Sequence, residues 1–155
     1  MAVEIRFRRP AEHEQLLALL TGKDGPFRAN YEALLFAAAL GRRKERRERF
    51  EKSGEPIRYA LVENRAYGDV LIDLLAAAEI PDDAKVLSDE RLAERLQIFE
   101  EYANGGLSFF QGEVNSRGSQ DLVAIVTSLV VDALAAPPQT DDDPIKDMLD
   151  ELERW

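Results

Sequence analysis

Six stretches of this chain carry apolar residues at three- and four-residue spacing, each bounded by proline, glycine or a small polar residue that can cap a helix. That spacing, at about 100° per residue, gathers side chains on one face of an α-helix. The first stretch follows Pro10, with Glu12 and Glu14 near the positive end of the helix dipole and Leu16, Leu17, Leu19 and Leu20 on the apolar side. Thr21-Gly22-Lys23-Asp24-Gly25-Pro26 ends it. The second has Asn30 as its expected N-cap and carries Tyr31, Leu34, Leu35 and Ala38, with a break or kink expected at Gly41. The third follows Tyr67-Gly68-Asp69, carries Leu71, Ile72, Leu74, Leu75 and Ala78, and ends before Pro81. The fourth is capped by Ser88 and carries Leu92, Leu96, Phe99 and Ala103, and Asn104-Gly105-Gly106 is expected to stop it, with Gly112 to Gly118 as a loop. The fifth starts at Ser119 and reads as a β-branched-rich core helix ending at Pro137-Pro138. In the sixth, Asp143 and Pro144 form a cap and first turn ahead of Ile145, Met148, Leu149 and Leu152, with Trp155 at the edge of that face.

Two short stretches alternate instead. Val3, Ile5 and Phe7 interleave with Glu4, Arg6 and Arg8, and Ile57, Tyr59 and Leu61 follow the turn residues Ser53-Gly54-Glu55-Pro56. Isolated strands leave their hydrogen-bonding groups unpaired, so the two are expected to pair, either within the chain or across a homodimer. The fold expected is mainly α: a single-domain bundle of about six helices with a minor two-stranded β element. Residues 1–136 form the helical domain, 137–143 an acidic Pro-rich linker and 144–155 a short amphipathic tail helix.

At 155 residues the chain is long enough to bury about two thirds of its unfolded surface in one core. It has no cysteine, which excludes disulfides, zinc-thiolate sites and a thiol nucleophile. The charged N-terminus lacks the apolar run of a signal peptide, and Leu122 to Ala136 falls short of the roughly 20 residues a membrane span needs. A cytoplasmic, membrane-free protein is expected. Its net charge of −10 is unevenly spread: residues 1–60 hold 13 Lys/Arg against 9 Asp/Glu, and the rest hold 7 against 21.

Against that acidic total, Gly41 to Lys52 concentrates seven basic side chains. Continued as a helix, the segment places Arg42, Arg43, Arg46, Arg47 and Arg49 on one arc around Phe50 and Glu45, Glu48 and Glu51 opposite, with Lys44 and Lys52. The arc reads either as a solvated face or as a contact for a polyanion, and in the latter case DNA binding is weak and salt-dependent. Arg8 and Arg9 either add to this patch or form the solvent edge of a strand. Phe50 reads as a core anchor with arginine stems beside it, or as a base-stacking platform. The tail face of Ile145, Met148, Leu149, Leu152 and Trp155 either folds back on its own domain or docks in a partner's groove.

Catalytic signals are weak. His13 is the only histidine and reads as a surface or capping residue, which leaves no His-dependent triad or multi-histidine metal site within one chain. Asp82-Asp83-Ala84-Lys85 has the residue types of half a metal-dependent nuclease motif, but it follows Pro81 in an inter-helix loop. Asp141 to Asp143 lacks the glycine and distal glutamate of a calcium loop. No catalytic residue, metal or cofactor is assigned.

Arg8-Arg9-Pro10, Leu34 to Gly41 (LLFAAALG), Gly54-Glu55-Pro56-Ile57 and Phe99 to Leu107 (FEEYANGGL) together resemble the bacterial DNA phosphorothioation system-associated protein 4 family, encoded beside Dnd sulfur-modification and restriction genes. The resemblance covers roughly residues 5–135 and leaves the tail outside. It implies an accessory role in a defence system that replaces a phosphate oxygen of DNA with sulfur, and it brings no catalytic residues. A non-enzymatic factor is expected that touches DNA through its basic helix while docking larger proteins of the Dnd system. The competing expectation is a pure protein adaptor without DNA contact.

Overall fold

A computed structural model describes residues 4–63, 65, 67–118, 120–136 and 144–154. In chain order these form strand β1 (Arg6–Phe7), helices α1 (Glu14–Leu20) and α2 (Asn30–Arg43), strand β2 (Ile57–Arg58), and helices α3 (Gly68–Glu79), α4 (Leu92–Arg117), α5 (Leu122–Ala135) and α6 (Pro144–Glu153). Short 3-10 turns lead into α1 and α4. The mainly helical class with one small antiparallel sheet is as the apolar spacing predicts. The chain divides into two compact units, one up to Val123 and one from Ala124 onward.

In the first unit, α2 packs along α4 with their backbones in direct apposition. A Cβ on Gly106 would overlap the carbonyl oxygen of Ala37, and one on Gly41 would overlap that of Tyr102. These glycines therefore form a notch in which the two helices cross. This corrects the expectation that Asn104-Gly105-Gly106 ends the fourth helix, because α4 runs through these residues for 26 residues in all. Gly112 to Arg117 continues the same helix and is not a loop; Gly118, at φ 60, is the residue that ends it. Gly41 likewise lies inside α2, buried and unbroken. The expected N-cap shifts by one residue, since Ala29 takes the extended cap geometry and Asn30 opens the helix.

Around the notch, Leu16, Leu17, Leu20, Leu34, Ile72, Leu96, Phe99, Leu107 and Phe110 build the core. Phe7 is buried edge-on against Phe99 at 5.3 Å. The strand expected over residues 57–62 keeps only Ile57–Arg58 before a 3-10 turn over Tyr59–Leu61. It pairs antiparallel with β1 in the same chain, Arg6 opposite Arg58 and Phe7 opposite Ile57, so strand pairing requires no dimer.

Helix α5 begins in the first unit at Leu122 and runs on in the second from Ala124. Its apolar residues surround the helix, yet only the stripe of Leu122, Ile125 and Leu129 is buried while Val123, Val130, Val131 and Leu134 are exposed. The buried core helix expected there is half exposed. Among the described residues no single helix is long and apolar enough to cross a membrane. The helix expected to start at Ser119 starts at Leu122, since Gln120 and Asp121 are not helical. The expected linker 137–143 with its aspartate run, Ser119, Val3 and Trp155 lie outside the described residues.

Candidate functional site

Where α2 ends, the chain leaves the helix and lies down as a strap across α4. Glu45 at φ 56 takes the left-handed position, Arg46 N–H donates to Gly41 O at 2.8 Å, and Glu45 N–H donates to Arg42 O at 3.1 Å. This is the paired C-terminal bonding of a Schellman motif, with a glutamate where glycine is usual. From there the strap is held by backbone groups: Glu48 N–H donates to Glu101 O at 3.0 Å, and the Asn104 amide donates to Glu48 O at 3.1 Å. Ala11 N–H reaches Lys52 O and Gly54 N–H reaches Arg9 O, each at 2.9 Å, which ties the far end to the N-terminal segment. Gly105 makes the crossing possible, since a Cβ there would meet the Arg46 carbonyl.

The strap brings its arginines onto carboxylates of α3 and α4. Arg47 forms ion pairs at 2.8 Å with both Glu79 and Glu101. Arg42 pairs with Glu79 at 2.9 Å and donates to the Tyr102 hydroxyl at 3.1 Å, while that hydroxyl itself donates to Glu79. Arg8 binds Glu100 through its guanidinium at 3.1 and 3.2 Å and through its backbone N–H at 2.5 Å, and stacks over Phe50 at 4.5 Å. The two glutamates at the centre of these pairs differ. Burial would raise Glu79, but hydrogen bonds from Tyr102 and Arg47 and the nearby arginine charges hold it below the ordinary glutamate value. For Glu100 burial prevails, and its carboxyl lies above the ordinary value despite Arg8.

The single helical arc expected from Arg42, Arg43, Arg46, Arg47 and Arg49 is therefore not formed, because the helix ends at Arg43 and residues 46–50 are not helical. Arg42 and Arg47 do meet, but at Glu79. Arg46 pairs with Glu48 at 3.1 Å and Arg9 with Glu14 at 2.8 Å. Arg49 is 87% exposed with only a long 3.8 Å approach to Glu101, and among the described residues Arg43 has no ion-pair partner. Lys44 lies over the Phe109 ring at 5.0 Å. Phe50 is half-buried beneath Arg8. On α6, Met148 (64%), Leu149 (57%) and Leu152 (68%) are exposed; the Ile145 side chain and Trp155 lie outside the described residues. Of the two places expected for His13, it takes the cap position of α1, without a side-chain cap bond, and not the surface: its ring is mostly buried against Ser108 Oγ at 3.2 Å, and burial lowers its pKa. Asp83 accepts from Lys85 N–H at 3.2 Å and pairs with Arg91 at 2.6 Å, which gives it a structural place in its turn.

Sequence reasoning missed the carboxylates. Glu100 and Glu101 are buried between Phe99 and Tyr102, and two acids inside an apolar helical repeat are a signal that cations must come to them from elsewhere. Arg95 was missed for the same reason. It is buried, pairs with Asp73 at 2.8 Å and donates to the carbonyls of Val86 and Ser88 at 2.7 Å, clamping the approach to α4.

A family model for DNA sulphur modification system-associated protein 4 matches residues 6–148. The chain belongs to that family. The match extends past the strings that carried the resemblance and takes in α6 as far as Met148, so the tail is not outside the family as expected. No curated protein and no solved structure matches the chain. In this member of the sulphur modification system-associated family, Leu34 to Gly41 and Phe99 to Leu107 are the two sides of the α2–α4 notch and its carboxylate shelf.

Proposed function

We propose that this chain is a non-enzymatic adaptor of a bacterial DNA sulphur modification system, acting in the cytoplasm by docking a larger basic protein of that system. The observation that carries this reading is the internal neutralisation of the basic segment: Arg8, Arg9, Arg42, Arg46 and Arg47 each have a carboxylate partner within the chain. DNA phosphates would have to compete with these partners, of which Glu100 and Glu101 are buried, for the same guanidinium groups. The docking element is α6, whose Met148, Leu149 and Leu152 face is exposed beside Asp150, Glu151 and Glu153. An apolar helix face framed by acids suits a groove with a basic rim.

The test is binding of each purified protein of the system to the full chain and to a Met148→Glu, Leu152→Glu variant. Saturable binding lost in the variant supports the reading; binding to none of them overturns it. Exposed Arg49 and half-buried Arg43 keep a second reading open, in which the chain touches DNA. Fluorescence anisotropy with plain and phosphorothioated duplexes at about 50 and 200 mM salt separates the two, since phosphate-driven binding falls steeply over that range.

A further inference from the structure

We propose that an extended basic segment of a partner protein adds as a third strand to the outer edge of β1, seated between that edge and α4. The register decides which backbone groups are free. Tyr59 N–H donates to Ile5 O at 2.9 Å, a bond that flanks the Arg6–Arg58 position, so Arg6 opposite Arg58 is a non-hydrogen-bonded pair. The N–H and C=O of Arg6 therefore point away from β2. Arg8, on the same side, shows that direction directly by donating its N–H to Glu100. Among the described residues no hydrogen bond engages either backbone group of Arg6.

A strand edge with free donors and acceptors is a template for another strand. Here it opens onto a cavity of about 450 Å³ floored by Ile5, Leu92, Ala93 and Leu96. Ile5 shares the face of buried Phe7 but is itself exposed, so its side chain extends the core's apolar surface into the groove. The charges select the occupant. Arg6 and Arg8 are already paired with Glu4 and Glu100, whereas Asp89 and Glu90, exposed at the mouth, have no ion pair among the described residues. The free charge is negative, so the occupant is a segment with an apolar residue for the floor and lysine or arginine on either side. The proposal rests on the adaptor reading only in taking the segment from a protein partner, and its test contains no protein of the system.

The full chain, labelled with ¹⁵N, is titrated with the end-blocked peptide Lys-Val-Arg-Val-Lys. Saturable shifts of the Arg6 and Ala93 amides are expected, with binding weaker by about tenfold or more for Glu-Val-Glu-Val-Glu. Arg6→Pro removes a donor that β2 does not use, a substitution tolerated at strand edges, and is expected to weaken the lysine peptide by about tenfold. Ala93→Arg, which fills the groove from the helix side, decides the matter if Arg6→Pro does not fold. Absence of saturable shifts up to about 1 mM peptide, equal binding of the acidic peptide, or undiminished binding by a folded groove variant would each overturn the proposal. Retained peptide binding in a Met148→Glu variant that no longer docks the system's proteins would sustain it while α6 fails on its own account.

Discussion

The strap after α2 and the tail helix α6 exchange the roles their compositions advertise. The strap, with its crowd of arginines, looks like a surface for a polyanion, yet it lies along α4 with Arg47 set between Glu79 and Glu101. The tail, with apolar residues at helical spacing, looks like material for a core, yet Met148 and Leu152 remain in solvent. Charge density alone does not mark a binding face. What decides is whether the fold supplies counter-charges, and those of Arg47 come from residues 32 and 54 positions away along the chain.

The contrast breaks most sharply at the helix crossing beneath the strap. Gly106→Val places side-chain atoms against the Ala37 carbonyl and is expected to lower stability by about 3 kcal/mol or more, read from denaturant midpoints. Gly112→Ala in the same helix meets nothing within 4 Å and is expected to be neutral or to stabilise by up to about 1 kcal/mol. Next in size is Arg47→Ala, expected to cost about 2 kcal/mol because buried Glu101 loses its close partner, while Arg43→Ala and Arg49→Ala stay within about 0.5 kcal/mol. Equal small effects at all three arginines would return the strap to the status of a solvated surface.

The paired glutamates give a pH signature. Glu79 lies below the ordinary glutamate value, so its contribution is present above that value and is lost as pH falls through its lowered pKa. Glu100 lies above, so its contribution is present below the ordinary value and is lost as pH rises through its raised pKa. Glu79→Gln is therefore expected to destabilise at pH 7, with a deficit that shrinks on acidification, whereas Glu100→Gln is expected to be nearly neutral at pH 7. Thermal melts across pH 3 to 8 distinguish them. Smallest of all is the tail: Met148→Glu is expected to leave the melting temperature unchanged while removing any docked partner, which would place the working surface of the molecule at its C-terminal helix.

Most of the fold is legible locally because α1, α2, α3 and α6 each carry their own apolar spacing, and α1 and α3 their own stops. The sheet is legible too, since Ile5, Phe7 and Ile57 alternate with charged neighbours. What is not legible depends on a distant partner. Gly105-Gly106 reads as a stop until α2 is known to lie against it, and Arg42 to Arg49 reads as helix because its residues favour one. The strap forms only because α4 offers a side-chain-free surface at Gly105 and an acid at Glu101, with Glu79 of α3 beside it. The candidate site was visible from its cationic half alone.

The glycine notch also bears on the order in which the chain folds. Glycines carry no apolar side chain with which to attract the opposite helix early in collapse, so the crossing rewards only the correct rotation and height of α2 on α4, and it does so across some 65 intervening residues. Its stabilisation belongs to the final settling of the two helices, after the leucines and phenylalanines have brought them together. A defect at Gly106 should accordingly shorten the lifetime of the native state while leaving the refolding rate nearly untouched, so that the chain still reaches its fold and merely fails to keep it.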